Sequence, residues 1–330
     1  MRVSCRSQSS NTRPLALPMP VATRTQRLLT PPPDAPYTAQ TVNLPPLALD
    51  IPAALLASIP AQHRAQFQQA AQHARPPATW LRPRDWNGTA ILLIHGAGDN
   101  RHAFKWLLFQ RLLERRLAIL TLDSPGHGDF RFIPCTVENA RRTAQAALDW
   151  LCAQADIRWV GALGISFGGC QVADLAARDP RVAALALIST PVHLPPVTRW
   201  TVAREVLSLF YMPRNLALLR HHSLIELWAE WRSVPSPWFG ESLYEMIARF
   251  DVLGAMRAVG NRPTLIMHGT HDGAVPPINA RLIYEAAPAE RALLWVPQAN
   301  HVSVALREDA MRALAGWLAD RALINVHIER

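Results

Sequence analysis

A serine set between glycines, Gly164-Ile165-Ser166-Phe167-Gly168, is the stretch of this chain best equipped for chemistry. An apolar run, Trp159–Leu163, leads into it, and a helix-like pattern follows it to Arg178. Glycines around Ser166 permit a sharp strand-to-helix turn that pushes the hydroxyl out of a sheet. The helix behind it would aim free amides and the positive end of its dipole at the site. A serine hydroxyl is a weak nucleophile at neutral pH, so it needs a base, and the base needs an orienter. His301, in Gln298-Ala299-Asn300-His301 just after the last strand-like run, is the candidate base. Asp272, just after the preceding strand-like run in His268-Gly269-Thr270-His271-Asp272-Gly273-Ala274-Val275-Pro276, is the candidate orienter. Both positions, like Ser166, belong at the carboxyl edge of a parallel sheet. Acyl transfer also needs N–H donors for a developing oxyanion. The candidates are the backbone N–H of Phe167 and that of Ala97, in His95-Gly96-Ala97-Gly98.

The elements that must hold these residues are legible as alternating buried strands and helices. Strands are expected at Thr79–Arg82, Thr89–His95, Leu117–Asp123, Arg158–Ile165, Val182–Ser189, Thr264–His268 and Ala292–Val296. Helices are expected at 52–73, with a break at Pro60, at 103–117, at Val137–Gln154 and at Gly168–Arg178. Asp85-Trp86-Asn87-Gly88 is a turn signal. This alternation argues a parallel sheet covered on both faces. Residues 191–255 break the rhythm: they hold no clear strand and read as two or three amphipathic helices rich in Trp200, Phe210, Tyr211, Trp228, Trp231 and Trp238. Leu224, Leu227, Trp228 and Trp231 fall at i, i+3, i+4 and i+7, an apolar stripe on one helix. That stripe either packs on the core or lends Trp228 and Trp231 to an acyl or aromatic pocket. Residues 1–40 are rich in Ser, Thr, Arg and Pro, with Pro31-Pro32-Pro33 forbidding helix there. Their acid-poor, Arg- and Ser-rich composition has something of a transit peptide, but a disordered tail is the reading preferred.

Taken together, His95-Gly96-Ala97-Gly98, Asp123-Ser124-Pro125-Gly126-His127-Gly128, Gly164–Gly169, the Asp272 segment and His301 resemble the α/β-hydrolase superfamily. The resemblance is closest to its serine esterase and serine aminopeptidase-like branches and covers residues 80–330. It implies an α/β fold with a mostly parallel eight-stranded sheet flanked by helices and an inserted helical cap. The expected organisation is a disordered tail (1–40), a first part of the core (41–190), the cap (191–255) and a second part of the core (256–330). The resemblance also implies a Ser166–His301–Asp272 triad working without a cofactor on a carboxylic ester. An amide, thioester or carbon–carbon bond hydrolase would use the same triad, and a ligand receptor on a hydrolase scaffold is an alternative of another class. In the family the loop Asp123–Gly128 shapes the pocket without doing chemistry; Asp123 as a rival acid would precede the nucleophile in the chain.

Composition narrows the partners. With 330 residues, 49% of them hydrophobic, the chain can bury a large core, and one α/β domain with an insertion is the natural expectation. No apolar run approaches the roughly 18 residues of a membrane-spanning helix, so stable membrane insertion is not expected. Lys and Arg number 34 against 25 Asp and Glu, a net charge of +9, and Lys105 is the only lysine. The arginines are scattered and lie beside acids, as in Glu114-Arg115-Arg116 and Arg178-Asp179, so the charge reads as a solvated surface and not as a nucleic-acid site. Cys5, Cys135, Cys152 and Cys170 form no CxxC pair, and free thiols suit a reducing, cytoplasmic compartment. His95, His127, His268 and His271 lack metal-ligand spacing, and no glycine-rich phosphate cradle is present. The expected partner is therefore a small-molecule ester, with no metal and no nucleotide cofactor; the oligomeric state is left open.

Overall fold

A computed structural model describes residues 23–196, 198–216 and 224–328. Eight strands form one sheet: β1 (Tyr37–Asn43), β2 (Pro77–Pro83), β3 (Thr89–Ile94), β4 (Ala118–Leu122), β5 (Trp159–Ile165), β6 (Val182–Ile188), β7 (Thr264–Gly269) and β8 (Arg291–Val296). Their order is β1-β2-β4-β3-β5-β6-β7-β8. β2 runs antiparallel to both β1 and β4, and every other neighbouring pair is parallel. The described helices are α1 (Arg24–Leu29), α2 (Ala53–Ser58), α3 (Ala61–Gln72), α4 (Trp106–Glu114), α5 (Val137–Cys152), α6 (Phe167–Arg178), α7 (Arg199–Tyr211), α8 (Leu224–Arg232), α9 (Leu243–Phe250), α10 (Val252–Ala258), α11 (Ile278–Ala286) and α12 (Glu308–Ile328).

The central strands are apolar on both faces because both faces are covered. In β3, Ala90, Leu92 and Ile94 point into the cluster beneath α5, α6, α9, α10 and α11. Ile91 and Leu93 point into the opposite cluster, beneath α4 and α12. This two-residue period fixes the register of the strand, since a one-residue slip would exchange the two faces. The carboxyl ends of β3, β5, β7 and β8 consequently open on one edge, where the loops bearing Ala97, Ser166, Asp272 and His301 begin. Among the described residues no helix is long and apolar enough to cross a membrane.

Two boundaries differ from the sequence expectation. Residues 1–22, with Cys5, lie outside the described residues, but 23–40 are not a tail. Thr23 starts α1 with a capping box: its hydroxyl accepts from Gln26 N at 3.0 Å, and the Gln26 side chain accepts from Thr23 N at 2.8 Å. β1 then pairs with β2 from Tyr37 to Asn43, and the Arg84 guanidinium donates to the carbonyls of Ala35 at 2.7 Å and Pro33 at 2.5 Å. β1 escapes a sequence reading because it is a half-exposed edge strand held largely by backbone pairing, with Tyr37, Ala39 and Val42 packing on the core. The second difference concerns the cap. Leu243, Met246, Ile247 and Phe250 form the apolar stripe of α9, and with Val252 and Met256 of α10 they bury against α6. Residues 243–258 therefore belong to the layer that covers the sheet, which leaves α7 and α8 as the described helices of the expected cap segment.

The pairing of β1 makes a direct expectation about stability. Deleting residues 1–43 removes an entire edge strand and leaves the outer edge of β2 unpaired. The melting temperature, followed by circular dichroism, should fall by more than about 5 °C. A truncated protein melting within about 1 °C of the full chain would mean that β1 contributes nothing to stability.

Candidate active site

Ser166 sits at the junction of β5 and α6 with φ 52° and ψ −121°, a left-handed conformation that costs about 1–3 kcal/mol for a non-glycine residue. Two glycines make the turn sterically possible. A Cβ on Gly164 would lie 2.4 Å from the carbonyl oxygen of Gly168, and one on Gly168 would lie 2.2 Å from that of Ile94. Ser166 N donates to the carbonyl of Ile188 at 2.7 Å, which ties the strained residue to β6.

The candidate base and its candidate orienter meet that hydroxyl. His301 Nε2 lies 3.1 Å from Ser166 Oγ, and His301 Nδ1 lies 2.8 Å from Asp272 Oδ2. An ionised carboxylate only accepts hydrogen bonds. Nδ1 therefore carries the proton, and Nε2 is left to accept from the serine. Asp272 is buried, and its other oxygen accepts from Ala274 N at 3.1 Å and Val275 N at 2.7 Å. Burial pushes this carboxyl up, but the charge and hydrogen bond of His301, the neighbouring His268 and the Val275 amide outweigh it and hold Asp272 below its ordinary value. Burial likewise opposes the charged form of His301, yet the charge and hydrogen bond of Asp272, with the charge of Glu205, leave His301 above its ordinary value.

The two loops that carry these residues are pressed together. His271 N donates to the carbonyl of Ala299 at 2.9 Å, and a Cβ on Gly269 would lie 2.4 Å from that same oxygen. Asn300 folds the base loop: its Oδ1 accepts from Ser303 N at 2.7 Å and from Val302 N at 3.1 Å. His268 Nε2 donates to the carbonyl of Val275 at 2.9 Å, and burial lowers its pKa against the opposing charge of Asp272. It closes the Asp272 loop from behind.

Phe167 is the first residue of α6, so its amide has no carbonyl of its own helix to bond. Gly96 lies against the serine, where a Cβ would come within 3.1 Å of Ser166 Cβ. This brings the loop bearing Ala97 alongside Ser166. Lys105 holds that loop from within: its buried ammonium donates to Asp99 Oδ2 at 2.6 Å and to the carbonyls of Asn100 at 2.7 Å and Ala103 at 2.8 Å. His95 Nδ1 donates to the carbonyl of Gly96 at 2.8 Å, and its Nε2 accepts from Ser124 N at 3.1 Å.

Not every sequence candidate joins this constellation. Asp123 accepts from Arg101 N at 2.8 Å and Asp129 N at 2.9 Å and is paired with the Arg101 guanidinium, so both its oxygens are engaged in holding loops. His127 donates to the carbonyl of Pro125 and stacks edge-on against His95 and Phe239. Trp228 and Trp231 are 55% and 62% exposed, and the Trp228 ring carries Arg232 over its face. Of the described stripe, Leu227 packs on the core, and the two rings face outward. In the other direction, two residues escaped the sequence reading. One is Lys105. The other is Glu205 of α7, a buried carboxylate that accepts from His301 N at 2.9 Å and from Gly273 N at 2.8 Å. A signal for Lys105 existed, since it is the one lysine of an arginine-rich chain; Glu205 had none.

Comparison with known proteins agrees with this architecture. Residues 89–216 match the family described as the α/β hydrolase fold. The matched segment includes Ala97 and Ser166 and ends before Asp272 and His301. The chain has the α/β-hydrolase fold. It is 40% identical over 91 residues to a pimeloyl-[acyl-carrier protein] methyl ester esterase of Neisseria meningitidis, which is 27% of this chain and 26% of that protein. It is 35% identical over 104 residues to a protein of Mycobacterium phage D29 provisionally named non-heme haloperoxidase, 31% of this chain and 36% of that one. The chain thus spans about a third or less of the length of these curated relatives. Among solved structures it is similar to an esterase of Thermogutta terrifontis, with a TM-score of 0.58 and 19% identity, over 86% of this chain and 99% of that one. At that identity the likeness is one of fold.

The electrostatics of the site give a direct expectation. His301, followed by NMR in the intact protein, should titrate above 6.5, the ordinary imidazole value. In Asp272→Asn it should titrate below that value, because burial then acts with less opposing charge. An unchanged titration in Asp272→Asn would mean that Asp272 does not set the basicity of His301.

Proposed function

We propose that this protein is a serine hydrolase acting on a carboxylic ester through an acyl-enzyme. The observation that carries the reading is the unbroken relay Ser166 Oγ–His301 Nε2, 3.1 Å, and His301 Nδ1–Asp272 Oδ2, 2.8 Å, at the carboxyl edge of the sheet. Ser166 Oγ attacks the ester carbonyl carbon while its proton passes to His301 Nε2. The carbonyl π electrons move onto oxygen, and the amides of Ala97 and Phe167 stabilise that charge. Collapse of the tetrahedral species breaks the bond to the alkoxy oxygen, which takes the proton from His301 and leaves as alcohol. Water, deprotonated by His301, then attacks the acyl carbon and releases the acid and free Ser166. Asp272 holds His301 in the tautomer this requires and stabilises the imidazolium that forms twice in each cycle.

Ester over amide is supported by the similarity to the methyl ester esterase of Neisseria meningitidis. The cap, with α7 and α8 set over the sheet edge, is the part available to select the acyl and alcohol groups. Mutation and kinetics test the proposal. Ser166→Ala should lower kcat for short-chain nitrophenyl esters by several orders of magnitude with the fold unchanged. Retention of more than about a tenth of wild-type turnover would sink the assignment of Ser166 as nucleophile.

A further inference from the structure

Among the described side chains of the cap helix α7, the large apolar Trp200, Leu207 and Tyr211 are 84%, 59% and 60% exposed, while Glu205 and Ser208 are buried. Glu205 spans the gap between the acid loop and the base loop. Its Oε1 accepts from Gly273 N at 2.8 Å, one residue beyond Asp272, and its Oε2 accepts from the amide of His301 itself at 2.9 Å. The backbone of the same turn adds to the hold. Asn300 Nδ2 donates to the carbonyl of Glu205 at 2.7 Å and to Ser208 Oγ, so the residue next to His301 is clamped as well. Arg204, beside it, donates to the carbonyl of Gly273 at 3.2 Å. A carboxylate removed from water is costly unless hydrogen-bonded, and here both oxygens are satisfied by backbone amides of the two catalytic loops.

We infer that Glu205 is a positioning residue for the proposed hydrolysis: it locks His301 against Asp272 and supplies a second negative charge to the imidazolium, so that the chemical step depends on the seating of the cap. This deepens the reading of Ser166, His301 and Asp272 as a triad and rests on it. Each backbone anchor of Glu205 lies on or next to a triad member, so a shift of α7 moves the base relative to Ser166 Oγ. Misplacement by an ångström costs about a hundredfold in rate. The charged and titratable groups that face Glu205 are Asp272 and His301, with His268 behind Asp272 and Arg204 on the same helix. Burial, with the neighbouring charge of Asp272, pushes the Glu205 carboxyl up against the amides that favour its ionised form, and Glu205 in turn raises His301.

The cap has a second buried anchor that serves as a control. Glu230 of α8 accepts from Thr25 N and from Phe104 N, both at 3.2 Å, tying the cap to α1 and to the end of the loop that follows Ala97. Among the described residues, neither of these hydrogen bonds reaches the acid or the base loop. Loosening the cap there should not change the titration of His301.

The experiment compares Glu205→Gln, Glu205→Asp and Glu230→Gln in the full chain, with thermal unfolding recorded for each. In Glu205→Gln, kcat should fall about tenfold to a hundredfold on acetate and long-chain nitrophenyl esters alike, with KM little changed. The acid limb of its kcat/KM profile, and the NMR titration of His301, should move to lower pH. Glu205→Asp keeps the charge but loses the reach, so its kcat should fall while the His301 titration stays closer to wild type. In Glu230→Gln the His301 titration should match wild type. The inference is overturned if Glu205→Gln leaves both kcat and the His301 titration at wild-type values. It is equally overturned if its only effect is a raised KM for long-chain esters, which is what a substrate-contacting cap residue would give. Should the wild-type protein turn over no ester, the hydrolase reading fails; the His301 titration still decides whether Glu205 sets the basicity of that histidine.

Discussion

A buried carboxylate held by two imidazoles, His301 and His268, and by the amides of its own loop is the constraint around which this molecule is arranged. Asp272 is 3% exposed and keeps its charge only because every direction around it is answered. Two amides of its own loop bind one oxygen, and His301 binds the other. Removing the amides or the imidazole would leave a buried charge uncompensated, which costs several kcal/mol. The pairing demands that the ends of β7 and β8 lie side by side, which the parallel register of those two strands provides. It also demands that the base loop stay folded over the acid loop, and the close pass of Gly269 beneath Ala299 sets that distance. The relay to Ser166 then needs only that β5 end at the same edge, and the strained serine turn delivers the hydroxyl there.

The same logic extends beyond the core. The cap is seated by buried carboxylates at both ends of the site. Glu205 engages the loops after β7 and β8, and Glu230 engages the segment between β3 and α4. Asn100, in that segment, also donates to the carbonyl of Ser233, just past α8. On its outer side α8 is held by α1, where Glu226 pairs with Arg24 and Arg27. A cap attached in this way cannot be regarded as a passive cover. Its helices present tryptophan and tyrosine to solvent and carboxylates to the interior, and the interior contacts are with the loops of Ala97, Asp272 and His301.

This division explains what the sequence could disclose. Ser166, Asp272 and His301 were legible because each follows a strand of unmistakable apolar character, and because Gly164 and Gly168 leave the nucleophile turn a recognisable imprint. The central sheet was legible for the same reason, strand by strand from Thr89 to Val296. What escaped obeys other physics. β1 is ordered by backbone pairing at an edge, which leaves little trace in side-chain type. Glu205, next to Arg204 in Ala203-Arg204-Glu205-Val206, reads as one more solvated ion pair on a helix; only the three-dimensional approach of α7 to the loops makes it a buried acceptor. Trp228 and Trp231 carried the opposite signal, an apolar stripe that suggests burial, and they lie outside. Lys105 stood out by being the sole lysine, and its role follows from its compact ammonium, which can donate to three oxygens at once inside a tight loop.

The central claim is that His301 and Asp272 make Ser166 a nucleophile. Its most direct measurement is mass spectrometry of the intact protein after exposure to a fluorophosphonate, with the modified peptide sequenced. The account predicts a single adduct per chain, carried by Ser166, whose rate of formation rises with pH as His301 loses its proton. No adduct, or an adduct on a different residue with Ser166 unmodified, would contradict it.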